Sequence, residues 1–145
     1  MTTPQPRILC VDDHDDTCLM LSALLGGSGY EVRSAGGVGE ALGVARAEHF
    51  DLFVIDSRYP DGSGVELCRQ LREVKPKTPV IFYSGASLAE DRARALGAGA
   101  EAYVVKPEVE SLLTTVKDLL SGDGGAASGE SGGLIAEADD GVGRL

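Results

Sequence analysis

The chain has 145 residues, of which 43% are hydrophobic and 25% are charged. This size and composition predict one globular domain that buries a core without disulfide bonds or a structural metal. The formal net charge of −10 disfavours a nucleic acid or an anionic membrane surface as the main partner of this chain.

The cysteines and the first residues predict a cytoplasmic protein. Three cysteines (Cys10, Cys18 and Cys68) lie in apolar or helix-like stretches and show no zinc-binding spacing, which favours reduced, buried thiols. Segment 1–7 has two prolines and no apolar core, so a signal peptide is not expected. No apolar run approaches 18 residues, so we expect no membrane span.

Strand-like and helix-like segments alternate along the chain. Continuous apolar runs predict buried parallel strands, whereas 30–34 is weaker and suits an edge. Between the runs, apolar residues recur at helical spacing, and Gly26 and Gly27 are expected to stop the first helix. The strand segments are 8–11, 30–34, 52–55, 80–83 and 103–105, and the helices are centred near 21–25, 38–45, 67–74, 87–97 and 112–120.

Two of the predicted helices start with Ser-x-x-Glu. Ser63 with Glu66, and Ser87 with Glu90, each match a capping box, in which the serine and glutamate side chains accept hydrogen bonds from otherwise unpaired backbone N–H groups. The order is thus strand then helix, five times, ending near residue 121. It predicts a doubly wound α/β fold, a three-layer sandwich around a parallel sheet.

The composition changes after residue 121. Segment 122–145 is rich in glycine, serine and acidic residues, which predicts a flexible acidic tail or linker after a domain at 1–121. Leu134 and Ile135 are its one apolar spot, so a short partner-binding segment stays open as an alternative to an inert tail.

Polar residues follow the predicted strands at their carboxyl ends, the edge where open α/β sheets bind ligands. Asp12 and Asp13 follow the first strand, Asp56 the third, Ser84 the fourth and Lys106 the fifth. One of the paired aspartates could instead cap the next helix. Two carboxylates 4 Å apart repel by roughly 4 kcal/mol at an effective dielectric constant near 20. Three aspartates and one lysine leave two negative charges, which one Mg²⁺ would neutralise with the oxygen ligands that this ion prefers.

These residues make the chain resemble the receiver domains of bacterial two-component response regulators. The resemblance covers about residues 7–121 and rests on five pieces in order. They are VDD at 11–13, DLFVID at 51–56, PDGSG at 60–64, SG at 84–85 and GAGAEAYVVKP at 97–107. It implies a flavodoxin-like sheet of strand order 2-1-3-4-5.

The resemblance implies that Asp56 accepts a phosphoryl group from a sensor histidine kinase or a phosphotransfer protein. Mg²⁺ would be held by Asp13, Asp56 and the backbone carbonyl of Arg58, with Asp12 acting through a metal-bound water. Lys106 and the Ser84 hydroxyl would each contact a phosphoryl oxygen. The protein would be a phosphoacceptor and not an enzyme acting on other molecules.

Ser84 and Tyr103 would form the switch. When the phosphoryl group draws the Ser84 hydroxyl inward, Tyr103 would rotate into the space left behind. The surface between Leu88 and Leu120 would then change and contact a downstream protein, unless the output is phosphate relay. Tyr103 as ordinary core packing is the alternative. Tyr59, before Pro60, departs from the family, which often has methionine there.

The sequence leaves three other functions to consider as alternatives. The main rival is a receiver-like interaction module that works without phosphorylation. An aspartyl phosphatase needs an acid two residues after the nucleophile, where this chain has Arg58. A DNA-binding regulator is disfavoured by the acidic charge and by the lack of a helix-turn-helix segment after Ser121. His14 has no metal-binding spacing and is expected to be a solvated surface residue.

Overall fold

The computed structural model describes residues 4–121. Five parallel strands form one sheet: β1 (Arg7–Val11), β2 (Glu31–Ala35), β3 (Leu52–Ile55), β4 (Val80–Ser84) and β5 (Ala102–Val105). Their spatial order is β2-β1-β3-β4-β5, and all neighbours pair in parallel. This confirms the predicted doubly wound, flavodoxin-like α/β fold.

Four helices connect these strands: α1 (Asp15–Gly27), α2 (Val38–Ala47), α3 (Gly64–Val74) and α4 (Ala89–Gly97). Alternate residues of a strand point to opposite faces of a sheet. One face of β1 and β3, with Leu9 and Phe53, joins a core that includes Ala41 of α2 and Leu67 of α3. Leu21 of α1 is also fully buried but lies outside that core, as the second helical layer requires.

The sheet, these four helices and their connections belong to one unit that ends at Val109. Helix α5 (Val109–Leu120) begins at that boundary, and its buried residues Leu112 and Val116 lie one turn apart on the predicted apolar stripe. The predicted tail, 122–145, lies outside the described residues. Within residues 4–121, every helix falls short of the length and apolar character that a membrane crossing requires.

The structure confirms one predicted helix end and corrects another. Helix α1 ends at Gly27, as the glycine pair predicts, and the chain turns at Gly29, whose φ of 99° suits a residue without a side chain. Helix α4 begins at Ala89 with Leu88 as its N-cap residue, so the capping box predicted at Ser87 and Glu90 is wrong. The Leu88 N–H instead donates to the Asp91 carboxylate at 3.1 Å.

The predicted cap of α3 is confirmed in part. The Ser63 hydroxyl accepts a hydrogen bond from the Glu66 N–H at 3.1 Å. The other half of the box is not formed: the Glu66 carboxylate accepts a hydrogen bond from the Gln70 side chain at 3.0 Å, within the same helix, and not from the Ser63 N–H.

A short antiparallel hairpin between β3 and α3 was not predicted. It pairs Arg58–Tyr59 with Gly62–Ser63. The Asp61 carboxylate at its tip accepts hydrogen bonds from the Val38 and Gly39 N–H groups at 2.8 and 2.9 Å. These bonds lower the pKa of Asp61 and fix the hairpin to the start of α2.

Candidate functional site

The residues predicted to form the site meet at the carboxyl edge of the sheet. Asp12 and Asp13 follow β1, Asp56 follows β3, and Lys106 follows β5 and is joined to Pro107 by a cis peptide bond. Asp12 and Asp56 are buried, at 4% and 9% exposed. The parallel sheet gathers these residues because every strand ends at the same edge.

Lys106 connects two of the three carboxylates. Its ammonium group donates to Asp12 at 2.9 Å and to Asp56 at 3.0 Å. Burial acts to lower the pKa of Lys106, but the hydrogen bonds to these two carboxylates outweigh it and raise the pKa above the ordinary lysine value. The lysine therefore remains charged and offsets part of the aspartate repulsion.

His14 belongs to the same cluster, which sequence reasoning missed. One carboxylate oxygen from each of Asp12, Asp13 and Asp56 and one ring nitrogen of His14 all lie within 4.8 Å of one another. The His14 Nδ1 atom is 3.0 Å from Asp12 and 3.3 Å from Asp13. The side chain is 67% exposed, as expected, but the hydrogen bond to Asp12 and the charges of both aspartates raise its pKa.

The helix-capping alternative for the acid pair does not hold. The N-cap residue of α1 is His14, and it makes no side-chain capping bond. Asp12 accepts the His14 backbone N–H at 2.9 Å, ahead of the first helical turn. The aspartates thus face the cluster instead of satisfying the helix N–H groups.

A chain of hydrogen bonds joins Ser84 to the residue after Asp56. The Ser57 hydroxyl donates to the Ser84 hydroxyl at 2.7 Å, and Ser84 also accepts the Ala86 N–H at 3.1 Å. The Ser57 N–H donates to the Asp56 carboxylate at 2.7 Å. Ser57 was not singled out from the sequence, since a serine after a strand gives no specific signal.

Tyr103 is joined to this chain of hydrogen bonds through Ala86. It is 7% exposed, its ring stacks on Phe82 with centroids 5.7 Å apart, and its hydroxyl donates to the Ala86 carbonyl at 2.6 Å. Ala86 therefore contacts both predicted switch residues, Ser84 and Tyr103. This geometry couples their positions; whether they move together stays a prediction.

Two residues lie against the backbone of Asp56. Gly64 lies so close to Asp56 that a Cβ atom on it would be 2.0 Å from the Asp56 carbonyl oxygen. The Tyr59 hydroxyl accepts the Asp56 N–H at 2.6 Å and donates to the Val11 carbonyl at 2.8 Å. The resemblance to the family marks Tyr59 as a departure from the usual methionine, but that departure does not indicate this contact.

Arg58 lies at the exposed rim, on the first strand of the hairpin. An open depression of about 410 Å³ runs from this rim to the acidic cluster. Its lining residues are Asp13, His14, Asp56, Ser57, Arg58, Tyr59, Ser84, Gly85 and Ala86.

Comparison with known proteins identifies the family. Residues 8–117 match the family described as "Response regulator receiver domain". The chain is 39% identical over 127 residues to the transcriptional regulatory protein PrrA of Mycobacterium tuberculosis, covering 87% of this chain and 54% of PrrA. It is 32% identical over 133 residues to the probable transcriptional regulatory protein TcrX of the same organism, covering 91% and 56%.

Similar solved structures belong to the same family. A response regulator receiver domain protein (CheY-like) from Methanospirillum hungatei matches with a TM-score of 0.78 and 33% identity, covering 82% of this chain and 96% of that one. The response regulator TrrA of Thermotoga maritima, solved in complex with Mg²⁺-BeF, matches with a TM-score of 0.73 and 30% identity, covering 79% and 99%.

The chain therefore belongs to the response regulator receiver domain family, whose general function is phosphorylation-dependent signalling in two-component systems. It spans about half the length of PrrA and TcrX. Those proteins are named as transcriptional regulators, so the expectation that this chain has no nucleic-acid partner gains no support from them.

Proposed function

We propose that Asp56 is the phosphoacceptor of a histidine kinase or phosphotransfer protein. A carboxylate oxygen of Asp56 forms a bond to phosphorus while the phosphorus–nitrogen bond of the donor phosphohistidine breaks, and the imidazole leaves with the electron pair. The observation that carries this proposal is the pair of bonds from Lys106 to Asp12 and Asp56, which places a cation beside the proposed nucleophile.

The donor set fits a magnesium ion. Three carboxylates lie together with one lysine, which leaves two formal negative charges for a divalent cation to neutralise. Asp13, Asp56 and the Arg58 carbonyl would hold Mg²⁺, with Asp12 acting through water. When bound, the ion offsets negative charge on the phosphoryl oxygens. The complex of the relative TrrA with Mg²⁺-BeF supports this assignment.

The other site residues stabilise the transferred group and limit the chemistry. Lys106 pairs with a phosphoryl oxygen as a point charge, and the Ser84 hydroxyl donates to another. Arg58 occupies the place of the acid that an aspartyl phosphatase needs, so we propose a phosphoacceptor and not an enzyme acting on other molecules. A kinase donor and free thiols at all three cysteines suit the cytoplasm.

The test is phosphorylation by a small donor. We expect incubation with acetyl phosphate and Mg²⁺ to add one alkali-labile phosphoryl group, measured by intact mass. Asp56→Asn and excess chelator should each abolish it. Asp51→Asn is the matched control, because Asp51 precedes β3 at the other end of the strand and binds the Arg7 N–H at 2.8 Å.

The rival function predicts a different result. A receiver-like interaction module would give no adduct in the native chain under these conditions, although the protein remains folded. An adduct that persists in Asp56→Asn would instead assign the phosphorylation to another residue.

A further inference from the structure

The Tyr59 hydroxyl lies between the ends of two central strands, beneath the acidic cluster. Tyr59 is 8% exposed. Its hydroxyl donates to the Val11 carbonyl at 2.8 Å and accepts the Asp56 N–H at 2.6 Å. Val11 immediately precedes Asp12, so the hydroxyl binds the backbone beside two of the three clustered aspartates.

This hydroxyl takes the place of a backbone hydrogen bond. Val11 of β1 aligns with Ile55 of β3, so the Asp56 N–H and the Val11 carbonyl are the groups that the next bond of a parallel ladder would join. The side-chain oxygen instead spans them with two hydrogen bonds. The separation of β1 and β3 at this point is therefore set by a side chain and not by direct pairing.

The ring that carries the hydroxyl is held firmly. Tyr59 packs in the core beside α2 and α3. It also belongs to the hairpin that Asp61 ties to Val38 and Gly39. Burial raises the pKa of Tyr59, so the hydroxyl keeps the proton that it donates to Val11.

We propose that Tyr59 is a positioning residue, whose hydroxyl sets the distance between Asp56 and the Asp12–Asp13 pair and thereby tunes divalent-cation binding and phosphorylation. Without the hydroxyl, two buried backbone groups lose their partner and favour direct pairing, which draws the two strand ends together. This inference rests on the proposed function, because the distance matters only if the aspartates work as a unit.

The test compares Tyr59→Phe, which removes only the hydroxyl, with the native chain and with Ile8→Val. Ile8 is fully buried and lies near the opposite end of β1, so its variant controls for a loss of stability remote from the site. Mg²⁺ affinity is measured by titration calorimetry, the adduct rate by intact mass with acetyl phosphate, and stability by urea unfolding.

We expect Tyr59→Phe to weaken Mg²⁺ binding or slow phosphorylation at saturating Mg²⁺ by about tenfold, the usual size of a loss of an outer-shell partner. Ile8→Val should change neither, although it too lowers the unfolding midpoint. The amide proton signal of Asp56 should also shift in Tyr59→Phe, because its acceptor changes from the Tyr59 hydroxyl to the Val11 carbonyl.

Other results would reject either the positioning role of Tyr59 or the proposed function. If the native chain takes up phosphate and Tyr59→Phe matches it in affinity and rate, or if Ile8→Val shows the same loss, the positioning role is wrong. If Tyr59→Phe does not fold, Tyr59→Met tests the same missing hydroxyl, and failure of both to fold overturns the inference in favour of a purely structural role. No adduct in the native chain instead rejects the proposed function itself.

Discussion

Lys106 shows how one residue balances the charge of the site. Its ammonium group bonds to carboxylates that follow two different strands, and its side chain is only 23% exposed. Asp12 is 4% exposed, so without the lysine its charge would have little access to water. A buried charge that loses its partner is destabilising, which makes the lysine a structural as well as a functional residue.

Replacing Lys106 with methionine tests the structural and the functional role by different measurements. In the presence of a chelator, we expect Lys106→Met to lower the free energy of unfolding by about 2 kcal/mol. This loss is smaller than that from breaking a fully buried ion pair, because the lysine is partly exposed. Mg²⁺ affinity should rise, since one positive charge leaves the cluster, while adduct formation should fall. Urea unfolding, calorimetry and intact mass test the three effects. A fall in Mg²⁺ affinity would contradict this account of the charge balance.

Gly64 is a residue whose lack of a side chain matters to the site. A Cβ atom there would lie 2.0 Å from the Asp56 carbonyl oxygen and 2.9 Å from the Phe82 ring, and backbone cannot easily yield. We expect Gly64→Ala to lower the free energy of unfolding by about 3 kcal/mol and to slow phosphorylation.

Gly43 provides the matched control for that substitution. It lies within α2, and a Cβ atom there would contact nothing within 4 Å. Gly43→Ala should therefore stabilise the protein by about 0.5–1 kcal/mol, measured by urea unfolding, because alanine favours helix. Equal effects at both glycines would show that the Asp56 backbone can move freely.

At the scale of elements, the two Ser-x-x-Glu sequences have different outcomes. Ser63 caps α3, whereas Ser87 lies one residue before the N-cap of α4 and Asp91 accepts the hydrogen bond there. The same local pattern therefore caps one helix and not the other. The path of the chain leaving β4 decides which residue occupies the N-cap position.

This difference is measurable with matched variants. We expect Ser63→Ala to cost about 1 kcal/mol of stability, since the Glu66 N–H loses its acceptor. Ser87→Ala should change the free energy of unfolding by less than about 0.5 kcal/mol, as at an ordinary surface position. Urea unfolding of both proteins tests the pair, and a larger loss in Ser87→Ala would restore the capping box that the structure rejects.

At the scale of the whole molecule, the question is how an event at Asp56 reaches a distant surface. Ser57 binds both the Asp56 carboxylate and the Ser84 hydroxyl, while Ala86 binds both Ser84 and Tyr103. A continuous hydrogen-bonded path thus runs from the proposed phosphoacceptor to the proposed switch tyrosine. Helix α4 follows Ala86 closely and carries the exposed side chain of Leu96, with exposed Leu88 at its N-cap.

Tyr103→Ala tests transmission along this path. We expect the variant to form the phosphoryl adduct as fast as the native chain, because Tyr103 lies away from the carboxylates. Beryllofluoride, a stable phosphoryl mimic, should shift the amide NMR signals of α4 in the native chain but much less in the variant. Equal shifts in both proteins would show that Tyr103 is ordinary core packing.

The sequence by itself determined the fold class and most of the site. Continuous apolar runs predict parallel strands buried on both faces, and the residue after each strand must lie at one sheet edge because parallel strands end together. Asp12, Asp13, Asp56, Ser84 and Lys106 could be found in this way since their positions follow from the order of elements alone.

Only the tertiary structure decided the contacts that depend on loop geometry. The hairpin after Asp56 carries the Tyr59 hydroxyl between β1 and β3 and brings Asp61 to the start of α2. His14 joins the acidic cluster through the turn into α1, and Ser57 meets Ser84 across neighbouring strands. Such contacts join residues distant in sequence or depend on backbone direction within a turn, and neither hydrophobic periodicity nor residue spacing encodes them.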